Sequence, residues 1–251
     1  MLAIPAIEAS LIEIFSSLQG EGVLIGCRQV FMRLAECNLT CAYCDTPFQA
    51  GPTCRVENPP GSGRFDNLDN PVQLSAITEL LTDWQRKSNN MHHSLVLTGG
   101  EPLLHADILC EWLPDVRPIL PVFLETNGTL ADELEKVLPL IDWISMDIKG
   151  AAVTGAATPW AEHAEFLQLS SDRLCQVKLV VDASTTEAEL LAAARLVHQH
   201  APQTPFILQL RTLASGLALG GSVLLDLQEL VATVHRDVRI IPQIHPWLGI
   251  A

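Results

Sequence analysis

The sequence predicts an α/β fold, an incomplete TIM-type barrel of parallel strands flanked by helices. Three observations carry that expectation. Short apolar runs alternate with longer amphipathic ones, the sign of repeated strand–helix units. Six or seven strand candidates fit within one chain of 251 residues. Polar residues recur toward one end of several of them, as the mouth of a barrel requires.

The strand candidates are Gln29–Leu34, Ser94–Thr98, Val122–Glu125, Trp143–Lys149, Val177–Asp182, Phe206–Leu210 and Val238–Gln243. Each is a short apolar or alternating run of strand length. The helix candidates are Pro71–Arg86, Ala106–Trp112, Ala131–Leu138, Glu187–His200 and one near Leu225–Val234. Alternation in Trp143–Lys149 puts Ser145, Asp147 and Lys149 on one face and Ile144, Met146 and Ile148 on the other. Unpaired polar groups do not belong in an apolar core. The polar face either lines a lumen or carries an Asp147–Lys149 ion pair with no ligand. Ile207, Gln209 and Arg211 share a face, as do Arg239, Ile241, Gln243 and His245. The segment 49–70, with Gly51, Pro52, Pro59, Pro60, Gly61 and Gly63, breaks the rhythm. It reads as a loop insertion in a single 1–251 domain, either a variable loop or a lid or docking surface.

Composition narrows the function. A net charge of −14 disfavours the phosphate contacts of nucleic-acid binding. No run approaches the roughly 18 apolar residues of a membrane helix. The start MLAIPAIEASLIEIF has no basic region of the kind that opens a signal peptide, so a cytoplasmic protein is expected. Of seven cysteines, three fall in CNLTCAYCDT at C-x3-C-x2-C spacing: Cys37, Cys41 and Cys44. Structural zinc sites use four ligands, commonly as two separated pairs. Here only Cys54, in the insertion, offers itself as a fourth. Iron–sulfur clusters are also held by thiolates. Three thiolates on a 4Fe–4S cube would leave one iron open to a small molecule. Zinc, or three unrelated thiols, are the other readings.

CNLTCAYC resembles the cysteine signature of the radical S-adenosylmethionine (SAM) enzymes. The resemblance implies that the open iron chelates SAM and that Tyr43 lies against the adenine. It also implies a deoxyadenosyl radical formed by reductive cleavage of SAM. LVLTGGEP is similar to the GGEP motif that contacts the methionine end of SAM. EIFSSLQGEG followed by RQVFMRLAECNLTCAYCDT narrows the resemblance to the 7-carboxy-7-deazaguanine synthase family, and TGGEP, ETNGT, IDWIS, VKLVV and PQIHPWLGIA extend it along most of the chain. That family contracts the ring of 6-carboxy-5,6,7,8-tetrahydropterin with loss of ammonia, on the route to 7-deazapurines such as queuosine.

Carried over position by position, the resemblance assigns Leu18, Gln19, Gly20, Arg33, Thr98 and the terminal carboxylate of Ala251 to the substrate, with Glu21 adjacent. A guanidinium at Arg33 suits a carboxylate through two hydrogen bonds. Tyr43, Gly100, Asp147, Ile148, Lys149, Gln209, Leu210, Arg211 and Thr212 fall to SAM. Thr46 falls to a magnesium ion, which prefers few protein oxygens. No side chain is assigned acid–base work, since the cofactor does the hard chemistry. The resemblance further implies a homodimer reduced by a flavodoxin or ferredoxin.

The chain departs from the family pattern in three places. Asp147-Ile148-Lys149 stands where Ser-Pro-Lys is usual, Glu36 stands where glycine is frequent, and the 49–70 insertion is longer. Two rivals follow: a radical SAM activase acting on a glycyl-radical partner protein, and a non-catalytic iron–sulfur or zinc module.

Overall fold

The computed structural model describes residues 7–44, 48–213 and 216–250. Its central feature is one ten-stranded sheet. In chain order the strands are β1 (Leu11–Leu18), β2 (Arg28–Leu34), β3 (Thr53–Glu57), β4 (Phe65–Asp69), β5 (Leu95–Gly99), β6 (Val122–Thr126), β7 (Trp143–Ile148), β8 (Leu174–Val181), β9 (Phe206–Leu210) and β10 (Val238–Ile240). Across the sheet they run β10-β9-β8-β7-β6-β5-β2-β1-β3-β4. From β2 to β10 every neighbour is parallel. The first and last strands of the order do not pair, so the barrel is open.

The helices follow their strands, as parallel crossovers demand. The longer ones are α1 (Leu74–Lys87), α2 (Ala106–Val116), α3 (Ala131–Val137), α4 (Trp160–Ser170), α5 (Glu187–His200) and α6 (Gly221–Ala232). The main core lies between these helices and one face of the sheet. Val30, Met32, Leu95, Leu97, Val122, Leu124, Ile144 and Met146 are all fully buried there. The alternate residues face inward. Phe15, Phe31, Val96 and Phe123 form a second, smaller cluster, with Trp143 packed against it. Register puts these five in one row: Phe15 opposite Phe31, then Val96, Phe123 and Trp143.

All seven strand candidates exist, most with an end moved by one to three residues. Four of the longer elements were not foreseen. LIEIFSSL pairs antiparallel with β2 as β1. WAEHAEFLQLS forms α4. The segment 49–70 is not a plain loop: β3 and β4 form an antiparallel hairpin, and β3 extends the sheet beside β1. The glycines and prolines that argued for a loop sit before β3 and in the turn between the two strands.

Candidate active site

The inward-facing residues enclose a cavity of about 820 Å³ at the C-terminal ends of the parallel strands. Barrel enzymes place their sites at that face. Every described residue assigned above to substrate, SAM or the cysteine cluster lines it except Ile148, and Cys54, the candidate fourth ligand, is buried in the main core instead. The Ile148 side chain is buried among the helices, so only its backbone is available to the cavity side. Thr46 and Ala251 lie outside the described residues.

Above the apolar row lies a polar one, two residues further along each parallel strand and two residues earlier on antiparallel β1. Register sets Glu13 opposite Arg33, Arg33 opposite Thr98, Glu125 opposite Ser145, and Ser145 opposite Gln176. Side chains continue the row: Thr98 Oγ1 donates to Glu125 at 2.8 Å and Gln176 Nε2 to Ser145 at 2.8 Å. Gln19 Nε2 reaches both Gln29 (3.1 Å) and Glu125 (3.0 Å). Burial raises the Glu125 carboxyl above the usual range, against the pull of Lys178. Arg33 donates through Nε to Glu13 at 3.0 Å, which leaves its two terminal nitrogens for a ligand. Beneath it Phe15 and Phe31 stack in parallel, 5.1 Å between centroids.

A chain of charges crosses the cavity. Glu21 pairs with Lys178, Lys178 lies 3.5 Å from Asp147, Asp147 pairs with Lys149 at 2.9 Å, and Lys149 donates to the Tyr43 hydroxyl at 3.1 Å. The Asp147–Lys149 pair and the polar lumen, posed above as alternatives, therefore coexist. Burial alone would raise the Asp147 carboxyl, but Lys149 and Lys178 hold it below its ordinary value. Burial opposes protonation of Lys178, yet Asp147 and Glu21 push its pKa well up. Gln209 Oε1 and Thr212 Oγ1 are buried on the wall with no partner, a state that costs free energy unless a ligand supplies one.

Cys37, Cys41 and Cys44 line the same cavity on the loop after β2. Cys37 and Cys41 are half-buried, which pushes their thiols up; Cys44 is exposed. Among the described residues, no three His, Cys, Asp or Glu side chains form the ligand set of a single ion. An iron–sulfur cube takes one thiolate per iron, so its cysteines need not meet at a point. The loop is held by its neighbours. Ala42 N donates to Thr154 O at 2.9 Å, Glu101 N to Glu36 O at 2.8 Å, and Asn127 Nδ2 to Asn38 Oδ1 at 2.8 Å.

The glycine pair of TGGEP serves this loop. Gly99 sits at φ +123°, where a side chain is strained, and a Cβ on Gly100 would run into the Glu36 carbonyl. The glycines let the end of β5 abut the backbone at the entrance of the cysteine loop. Glu36 itself holds φ +69°, the left-handed region that favours glycine. In LQGEG, a Cβ on Gly20 would meet His245, so this glycine docks the 241–248 segment on the cavity rim.

Several residues escaped the sequence reading. Glu101 is fully buried and accepts from Thr126 Oγ1 (2.8 Å), Asn127 N (2.8 Å) and Leu103 N (3.1 Å), tying the end of β6 to the TGGEP turn. His163 of α4 accepts from Lys149 N at 3.0 Å and donates to Gly128 O at 3.0 Å, a neutral imidazole behind the cavity. Nothing in WAEHAEF marks it. Lys178 and Glu125 were findable, because alternation in VKLVV and VFLET turns both inward.

Comparison with known proteins bears on this arrangement. The radical SAM superfamily pattern matches residues 34–159. The chain is 44% identical to a 7-carboxy-7-deazaguanine synthase of Geobacter sulfurreducens, over 96% of this chain and 97% of that one. It is 32% identical to the synthase of that name from Archaeoglobus fulgidus, over 96% and 99%. The crystal structure of QueE from Escherichia coli shares the fold with a TM-score of 0.55, at 19% identity over 94% of both chains.

Proposed function

Because the chain belongs to the 7-carboxy-7-deazaguanine synthase family of radical SAM enzymes, we propose that this one cavity holds the pterin substrate at its β1–β2–β5 side and SAM between Tyr43 and β9. The family's reaction converts 6-carboxy-5,6,7,8-tetrahydropterin to 7-carboxy-7-deazaguanine and ammonia, with a 4Fe–4S cluster and SAM as cofactors.

The residues present fit those groups. Three thiols on one wall are the donor set of a cube with one free iron. The orphaned Gln209 and Thr212 oxygens await a polar ligand on the opposite strand end. When bound, the cluster and SAM supply a carbon radical that starts the ring contraction. The chain's own residues do the rest. The terminal nitrogens of Arg33 take the substrate carboxylate. Gln19, held between Gln29 and Glu125, gives the pterin an amide edge and the Glu125 carboxyl beside it gives a carboxyl edge. Phe15 and Phe31 give the ring a dry floor. Lys149, fixed by Asp147 and by the His163-bound backbone, holds the Tyr43 hydroxyl. On the same reading Thr46 gives one oxygen to magnesium, the reductant is a flavodoxin or ferredoxin, and the enzyme is a cytoplasmic homodimer. Among the described residues, no helix is long and apolar enough to cross a membrane.

The observation that carries the reading is the meeting of three thiols, an arginine and a pterin-sized polar row in one cavity. The test is anaerobic: reconstitute and reduce the cluster, add SAM and 6-carboxytetrahydropterin, and weigh the product. We expect 7-carboxy-7-deazaguanine from the parent protein and at least a hundredfold less from Arg33→Ala. SAM cleavage without product would move the chain to the activase reading, and a protein that takes up no iron would sink both.

A further inference from the structure

Arg33 paired only with Glu13 cannot supply a positive site. Its Nε is 3.0 Å from Glu13 Oε1, and their side chains are 23% and 18% exposed, so the two charges cancel at short range in a partly dry wall. A neutral pair offers a carboxylate hydrogen bonds but little attraction. The structure brings a second guanidinium to the same carboxylate. Arg55 Nη1 lies 3.4 Å from Glu13 Oε2. It belongs to β3, the strand of the insertion, and stands directly opposite Glu13 in register. Its guanidinium is fixed over the Phe65 ring of β4, 4.1 Å from the centroid. Arg55, Glu13 and Arg33 thus form one cross-strand row on the cavity wall, and the triplet sums to +1.

We propose that Arg55 is a specificity-determining residue: by neutralising Glu13 it frees the charge of Arg33 for the substrate carboxylate. The inference rests on the placement of that carboxylate at Arg33. It gives the 49–70 insertion a function neither as a lid nor as a docking surface, but as the strand that supplies the balancing charge. Arg55 is a positioning residue here, since it acts through Glu13. Its side chain is 55% exposed, so its influence is modest and sensitive to salt.

The test uses the reconstituted, SAM-loaded enzyme and two unreactive probes, 6-carboxypterin and 6-methylpterin, with binding read from pterin fluorescence. The parent enzyme is expected to prefer the carboxylated probe, the more so at low salt. Arg55→Gln is expected to lose about fivefold of that preference, with 6-methylpterin unchanged. In turnover, its KM should rise with kcat nearly constant. Glu13→Gln combined with Arg55→Gln should restore the preference, because Arg33 then stands alone at +1. An Arg55→Gln enzyme that keeps the full preference overturns the proposal. So does a double variant that fails to recover, since a hairpin merely loosened by the substitution is not mended at Glu13. A parent enzyme that turns over 6-carboxytetrahydropterin yet shows no preference for the carboxylated probe would fail the Arg33 placement itself. One that forms no product would fail the functional reading.

Discussion

Glu36 shows what one backbone angle costs. A non-glycine residue at φ +69° is strained by about 1 kcal/mol, and here it opens the cysteine loop. Glu36→Gly, usually a destabilising type of change, is expected to raise the melting temperature by a few degrees. Gly100→Ala should do the reverse. Its new Cβ meets the Glu36 carbonyl, so the loop must shift, and iron uptake per chain should fall along with stability. His163 sets a pH limit. Burial lowers its pKa to about 4, against an ordinary 6.5. The unfolded chain therefore binds a proton between pH 6.5 and 4 that the folded one refuses. The neutral form's contribution is full above pH 6.5 and is lost progressively toward pH 4, by roughly 3 kcal/mol. Urea midpoints should fall over that window, and His163→Gln should flatten the fall.

At the scale of elements, legibility followed burial. β5 to β10 carry apolar residues on the outward face and often on the inward one, so they stood out as runs. α5 has the bounds its apolar period predicts, and Thr186 caps its start by accepting from Glu189 N. β1 was missed since its inward side chains, Glu13 and Ser17 with Phe15 between, spoil the apolar run. β3 and β4 were hidden by the prolines around them, and by a carboxylate no pattern announces. Glu57 is buried and accepts from Ser16 N (2.9 Å), Gly61 N (2.7 Å) and Gly63 N (2.6 Å), closing the turn in place of ladder bonds. Glu57→Ala should cost about 2 kcal/mol and speed amide exchange across 53–69 well before the parallel strands. Equal exchange in both regions would show the hairpin is not a separate unit.

For the whole molecule, the cluster cysteines and TGGEP were legible because chemistry restricts spacing as well as residue type. The charged row was not, because Arg55, Glu13 and Arg33 meet only through strand order, and no local pattern puts β3 beside β1. The same layering predicts a global effect. Phe123 sits fully buried in the inner row beneath the polar one. Phe123→Ala should lower the unfolding free energy by about 3–4 kcal/mol with the denaturant slope unchanged, since the two rows share every central strand.

The shared register also sets which kinds of inherited change the chain can absorb. A codon substitution in a central strand alters one position in one row. Loss of a single codon within Leu95–Gly99 or Trp143–Ile148 would do something different in kind. Every later side chain of that strand would change faces, sending Thr98 or Asp147 under the helices and an aliphatic neighbour into the cavity. Tolerated length variation should therefore collect in the turns and at the β3–β4 edge, while the interior strands drift in composition at constant length.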